Sequence, residues 1–327
     1  MKRLPATCAV LCVFIALILF PEASASGVKS GLAICIDRIL PSLFPFFIAS
    51  SLLTNLGATA YIGELLAPVS AKLFHVSGAG GSAFIIGLTG GYPLGASYIA
   101  DMYTNKLIKK QEAEKLLIFC NNSGPAFIIG ACGVAAFHSS AVGIFLYAVH
   151  ILAALIGGIM LSGKEKTTAS FDTAAKDMSF ANAFTASVKS SINALINVCG
   201  FILAFSILVS MFDFYIIAGN LSQYTGLELS FCRTFLVGIL ELGSSIGCMT
   251  SLSTSSINLA LAAFILGWGG ISVHFQTFAV ISDTDIKAAR ARLILLLSVQ
   301  LSHISAQCFS FKRRQRKILC QPLPKTL

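Results

Sequence analysis

The residues able to do chemistry in this chain stand inside apolar surroundings, and their types favour binding over bond-breaking. Glu241 is a lone carboxylate in a stretch otherwise free of charge. An acid at membrane depth is costly to keep, so it reads as a group for proton or cation coupling, or for substrate binding. Its bland alternative is a pairing with Arg233 or with a nearby backbone amide. Asn121 and Asn122 are adjacent amides that both donate and accept hydrogen bonds. Ser123 and then Gly124-Pro125, a helix-breaking pair, follow them. Two amides exceed what capping that break requires, so they read as ligand or ion contacts.

Gly90-Gly91-Tyr92-Pro93, with Gly95 beyond it, forms a turn between two short apolar pieces. Its glycines let a backbone approach a ligand closely, and Tyr92 can stack or donate. Glycines also permit tight helix packing in lipid, and that reading stands beside the first. Ser272, His274 and Gln276 follow a second break at Gly267-Trp268-Gly269-Gly270. Positions two apart do not share a helix face, so the three cannot address one ligand from a helix. His274 has the side chain suited to proton coupling near neutrality. Ser244, Ser245 and Thr250 supply hydroxyls, which are also ordinary packing residues. Asp37 and Arg38 have the charge of buried site residues, but near the start of a span snorkelling side chains are the preferred reading.

Gly243-Ser244-Ser245-Ile246-Gly247 matches the G-x-S-x-G pattern, with Asp283 and His303 following in order. A nucleophile elbow needs a strand before the turn and a helix after it, and nothing here alternates strand with helix. No HExxH or P-loop sequence is present. The ten cysteines are scattered singly, mostly in apolar runs, without a CxxC pair, and read as packing residues. The expectation is a binding protein without cofactor or metal, and not an enzyme.

Composition states what must position these residues. Of 327 residues, 56% are hydrophobic and only 11% charged, with a mean hydropathy of +0.82. A soluble domain carries about 25% charged residues. The surface must therefore meet lipid, which makes the lipid bilayer a partner. The net charge of +9 then reports Lys and Arg gathered in loops on one side rather than a nucleic-acid partner.

The chain divides into a first segment 1–22, a unit 27–162, a polar loop 163–180, a second unit 181–311 and a basic tail 312–327. The first segment, with Lys2-Arg3, an apolar run and Ala23-Ser24-Ala25 after it, fits both a cleavable signal peptide and a retained span. Each unit offers the same order: a whole span, a Gly-broken hairpin, a broken helix and a whole span. Val28-Lys29-Ser30 and Val188-Lys189-Ser190 introduce corresponding spans, and Gly124 and Gly270 fall in corresponding breaks. Interrupted segments recurring in two halves point to a transporter binding site. The expected fold is an all-α polytopic membrane protein with two inverted-topology repeats, each with a re-entrant hairpin and a broken helix. With the N-terminus inside, seven crossings put the Lys-rich loops in the cytoplasm and the basic tail outside.

Four blocks carry a family resemblance: Ile39-Leu40-Pro41-Ser42-Leu43-Phe44-Pro45-Phe46-Phe47, Gly90-Gly91-Tyr92-Pro93-Leu94-Gly95-Ala96, Phe119-Cys120-Asn121-Asn122-Ser123-Gly124-Pro125, and Gly267-Trp268-Gly269-Gly270-Ile271-Ser272-Val273-His274-Phe275-Gln276. Their sequence and order resemble the YlbJ/SpoVV sporulation integral membrane proteins of the nucleoside-transporter "Gate" group. The resemblance implies a concentrative-nucleoside-transporter-like fold, retention of the first span, and a place in the outer forespore membrane during endospore formation. It further implies movement of dipicolinate from mother cell towards forespore. On that reading Gly90, Gly91, Tyr92, Gly95, Asn121, Asn122, Ser123, Glu241, Ser244, Ser245, Gly270, Ser272, His274 and Gln276 surround a small anionic substrate. A proton or sodium ion couples to it, and an oligomer is compatible. A second reading, of another class, is a non-transporting scaffold or regulator of a sporulation complex.

Overall fold

The computed structural model describes residues 4–160, 178–212 and 214–287. The last span, the basic tail and most of the 163–180 loop lie outside the described residues. Every described element is helical. Among the described residues four helical stretches are long and apolar enough to cross a membrane: Pro21–Asn55, Ser140–Met160, Phe180–Met211 and Ser256–Ile281. A bilayer core of about 30 Å needs about 20 helical residues, and each of the four meets that length. Large apolar side chains such as Leu65, Ile144 and Ile196 stand on the outer surface, as a lipid-facing surface requires.

Helix α1 (Leu4–Leu19) meets α2 (Pro21–Ile34) at Phe20, whose backbone leaves the helical region just before Pro21 starts the next helix. From α2 the chain continues through a π-helical turn, Cys35–Ile39, into α3 (Leu40–Asn55). Pro41 lacks an N–H, and the turn before it widens so that Leu40 N–H bonds the Cys35 carbonyl five residues back. Asp37 and Arg38 therefore sit midway along one 35-residue helix. The helix begins at Pro21, well before them; Asp37 is exposed there and Arg38 partly buried.

Helix α4 (Ala58–Leu73) turns by 98° into α5 (Gly78–Gly90). After a break at residues 91–93, α6 (Leu94–Thr104) runs back against α5. Both open ends of this pair are tied to the start of α7 (Lys110–Phe119). Ser77 N–H donates to Glu112 Oε1 at 2.6 Å at one end. At the other, Tyr103 and Lys110 share the Asp285 carboxylate at 2.6 and 2.7 Å. The pair thus leaves from and returns to one end of the molecule.

Beyond α7 a gap at 120–125 precedes a π-helical segment, Ala126–Ala136, and α8 (Ser140–Met160). Then α9 (Phe180–Met211) packs along α2 and α3. Next come α10 (Phe214–Thr225), α11 (Leu229–Leu240) and, after a break at Glu241, α12 (Leu242–Met249), which packs on α11. Finally α13 (Ser256–Trp268) and α14 (Gly270–Ile281) meet at Gly269, which has φ +76°. The second interrupted segment thus breaks where expected but spans 229–249, with a further gap before α13.

Close approach holds the first pair to α7. A Cβ at Gly87 or at Gly95 would overlap the Cys120 carbonyl, and one at Gly91 would lie 2.8 Å from Gly124 N. Three glycines four residues apart thus seat residues 120–124. Phe74, Phe84 and Phe119 close the same junction, with ring centroids 5.0–5.9 Å apart. Gly87→Ala should destabilise the purified protein by about 1–3 kcal/mol, read as a lower thermal midpoint in detergent. Gly200→Ala, with nothing within 4 Å of its added carbon, should not.

Candidate functional site

The polar side chains gather where the interrupted helices meet. In the second half the break of α13/α14 lies on the break of α11/α12. A Cβ on Gly270 would stand 3.1 Å from Leu240 O and from Leu242 N. This repeats the contact of Gly91 with Gly124. Between the two junctions lies a slot of about 40 Å³, lined by Tyr92, Ser123, Glu241 and Gln276 among apolar residues that include Phe127, Val198 and Ile202.

Glu241 is buried at the start of α12, and its carboxylate accepts from Gly243 N–H at 2.8 Å and from Ser244 N–H. It is the N-cap of its own helix. The bland alternative, pairing with a backbone amide, is what the geometry shows. Those amides, the positive pole a substrate carboxylate would seek at this hairpin, are already occupied. Glu241→Ala should cost about 1–3 kcal/mol by orphaning two buried donors. Glu241→Gln should cost less, because one acceptor remains; thermal midpoints of the two variants check the order.

Gln276 lines the slot and also a larger vestibule of about 550 Å³ between α3, α6, α9 and α14. The vestibule carries Thr54, Asn55, Ser97, Asp101, Asn193 and Asn197. On the other side Tyr92 is shared with a pocket of about 60 Å³ that contains Asn121, Asn122, His150, Trp268 and His274. Three cavities therefore lie in series, divided by Gln276 and by Tyr92.

The expected residues are distributed among these spaces. Tyr92, Ser123, Glu241 and Gln276 line the slot; Asn121, Asn122 and His274 line the smaller pocket beyond Tyr92. Gly91, Gly95 and Gly270 serve close packing of the breaks, and Gly90 lies against Leu94 and Ser50. Ser245 is fully buried and donates to Leu242 O, while Ser244 pairs with Ser206 at 3.2 Å. The G-x-S-x-G serine is thereby committed to its own helix, and no strand precedes it among the described residues. Ser272 accepts from Gln276 Nε2. On α14, His274 and Gln276 face different cavities, as their spacing requires.

Arg38 was not among the expected site residues. Its Nη1 is buried without a hydrogen-bond partner and lies beside Gly247 of α12, one turn beyond the slot.

An all-helical chain with an apolar outer surface and its polar groups collected at helix breaks is an integral, multi-pass membrane protein. A family model described as "Nucleoside recognition", the Gate domain, matches residues 36–165. The chain is also 31% identical over 297 residues to the "Sporulation integral membrane protein YlbJ" of Bacillus subtilis (strain 168), covering 82% of this chain and 72% of that one. It belongs to the YlbJ family of sporulation integral membrane proteins. No solved structure matches it.

Proposed function

We propose that this protein is a transporter that moves a small anionic metabolite during endospore formation by alternating access. The observation that carries the reading is the series of cavities: a polar vestibule wide enough for a metabolite ends at the junction of two pairs of broken helices. Transporters of this kind bind at such junctions, between repeats and near the midplane. The repeated contact of Gly91 with Gly124 and of Leu242 with Gly270 supports two related halves. Their inversion is supported by the broken helix 110–136. Its start holds the open end of the first hairpin, whereas its far segment brings Cys132 against Met249 at the open end of the second.

The substrate we propose is dipicolinate, the flat dicarboxylate that the family resemblance implies. The apolar walls of the slot suit an aromatic ring, and Tyr92 offers a hydroxyl, while Ser123 spends its proton on Leu266 O at 3.3 Å. Arg38, whose planar fork matches a carboxylate, stands beside Gly247, one turn beyond the slot. On this reading the substrate reaches the slot from the vestibule, whose lining shares Gln276 with it.

Proteoliposomes containing the protein should take up radiolabelled dipicolinate saturably, and Arg38→Gln should lower uptake about tenfold or more, the loss of one buried charge-assisted contact. Absence of saturable uptake would remove the transport reading and leave the scaffold. Topology is tested separately in a background lacking accessible native cysteines. Cysteines at Lys72 and Asn105 should react from one side of the membrane and a cysteine at Gly226 from the other. Labelling of all three from one side contradicts the inverted repeats.

A further inference from the structure

We infer that the pocket beyond Tyr92 binds a small monovalent cation rather than any part of an anionic substrate. The ground is an account of its hydrogen-bonding groups. Thr277 Oγ1 donates to Val273 O at 3.0 Å, so toward Asn121 it can only accept. Asn121 therefore presents its Nδ2 to Thr277, at 2.8 Å, and its Oδ1 is left buried without a partner. Asn122 gives an N–H to the Phe119 carbonyl at 2.7 Å, which turns its oxygen away from that contact. His274 Nδ1 lies 2.8 Å from the Gly270 carbonyl. A carbonyl only accepts, so Nδ1 carries a proton there, and the neutral form of the ring keeps a lone pair on Nε2. Trp268 spends its N–H on Ile239 O at 2.9 Å, leaving its π-system to the pocket. Glu114 adds a carboxylate at the lining. Against these acceptors stand the Nδ1–H of His150, whose Nε2 is taken by Ser123 N–H, the second N–H of each amide and the Tyr92 hydroxyl.

A pocket that keeps a buried, unpartnered amide oxygen, an imidazole lone pair and a carboxylate disfavours anions and attracts positive charge. An aromatic ring in the lining adds to that preference. Its volume of about 60 Å³ admits a cation with a water or two. Among the described residues no three His, Cys, Asp or Glu side chains converge on a metal position, so the chemistry is that of an alkali or ammonium ion. The role of this ion in coupling rests on the transport reading; the binding itself does not.

The full-length protein in detergent would be titrated with sodium, potassium or ammonium chloride at constant ionic strength, balanced by N-methylglucamine, while thermal unfolding is followed. At least one cation should raise the midpoint saturably, and the arms identify which. Asn121→Leu should weaken that response tenfold or more. Asn121→Asp, which replaces the amide by a second oxygen, should retain or strengthen it and guards against loss through misfolding. The inference is overturned if no cation acts beyond N-methylglucamine, if Asn121→Leu responds like wild type, or if Asn121→Asp abolishes the response. Saturable cation binding without dipicolinate uptake would sink the transport reading alone; uptake without cation binding would sink this one alone.

Discussion

Lipid offers no partner to a backbone N–H or C=O, so every interruption of a helix at membrane depth must find one within the protein. The rest of this architecture depends on that constraint. Four helices are interrupted, and the interruptions are packed in pairs: residues 91–93 against 120–124, and 240–242 against 269–270. Where a pole remains, a side chain fills it, as Glu241 does for α12. Irregular backbone therefore collects at two junctions, and the polar side chains that ligands need collect with it.

The cavities that follow differ in character. The vestibule is broad and lined with hydroxyls and amides. The slot is narrow and mostly apolar, while the pocket beyond Tyr92 is small and rich in acceptors. A neutral ring and a cation would find their places in different chambers, divided by a phenol that belongs to both linings. The unpartnered Asn121 oxygen makes that distinction, since it leaves a buried acceptor in the pocket's lining.

Much of this was legible in the residues. The low charge announced lipid, Gly90 to Pro93 and Gly267 to Gly270 marked breaks, and the spacing of Ser272, His274 and Gln276 denied them a common face. The orientation of an amide was not legible, because it depends on Thr277, 156 positions away. Nor was the difference between a glycine that admits a ligand and one that admits a carbonyl. Gly87 and Gly95 look alike for either purpose until Cys120 is seen between them. Arg38 escaped because its neighbour on α12, Gly247, lies in the other half of the chain.

The seat of the Cys120 carbonyl between Gly87 and Gly95 has a mechanical consequence. Contacts so close leave no room for sliding, since neither surface carries a side chain that can change rotamer and give way. The first hairpin and the helix that ends at Cys120 must then travel as one lever. Any hinge serving the slot belongs elsewhere, at joints such as Gly57 or Gly269, where the backbone already turns without a side chain to obstruct it.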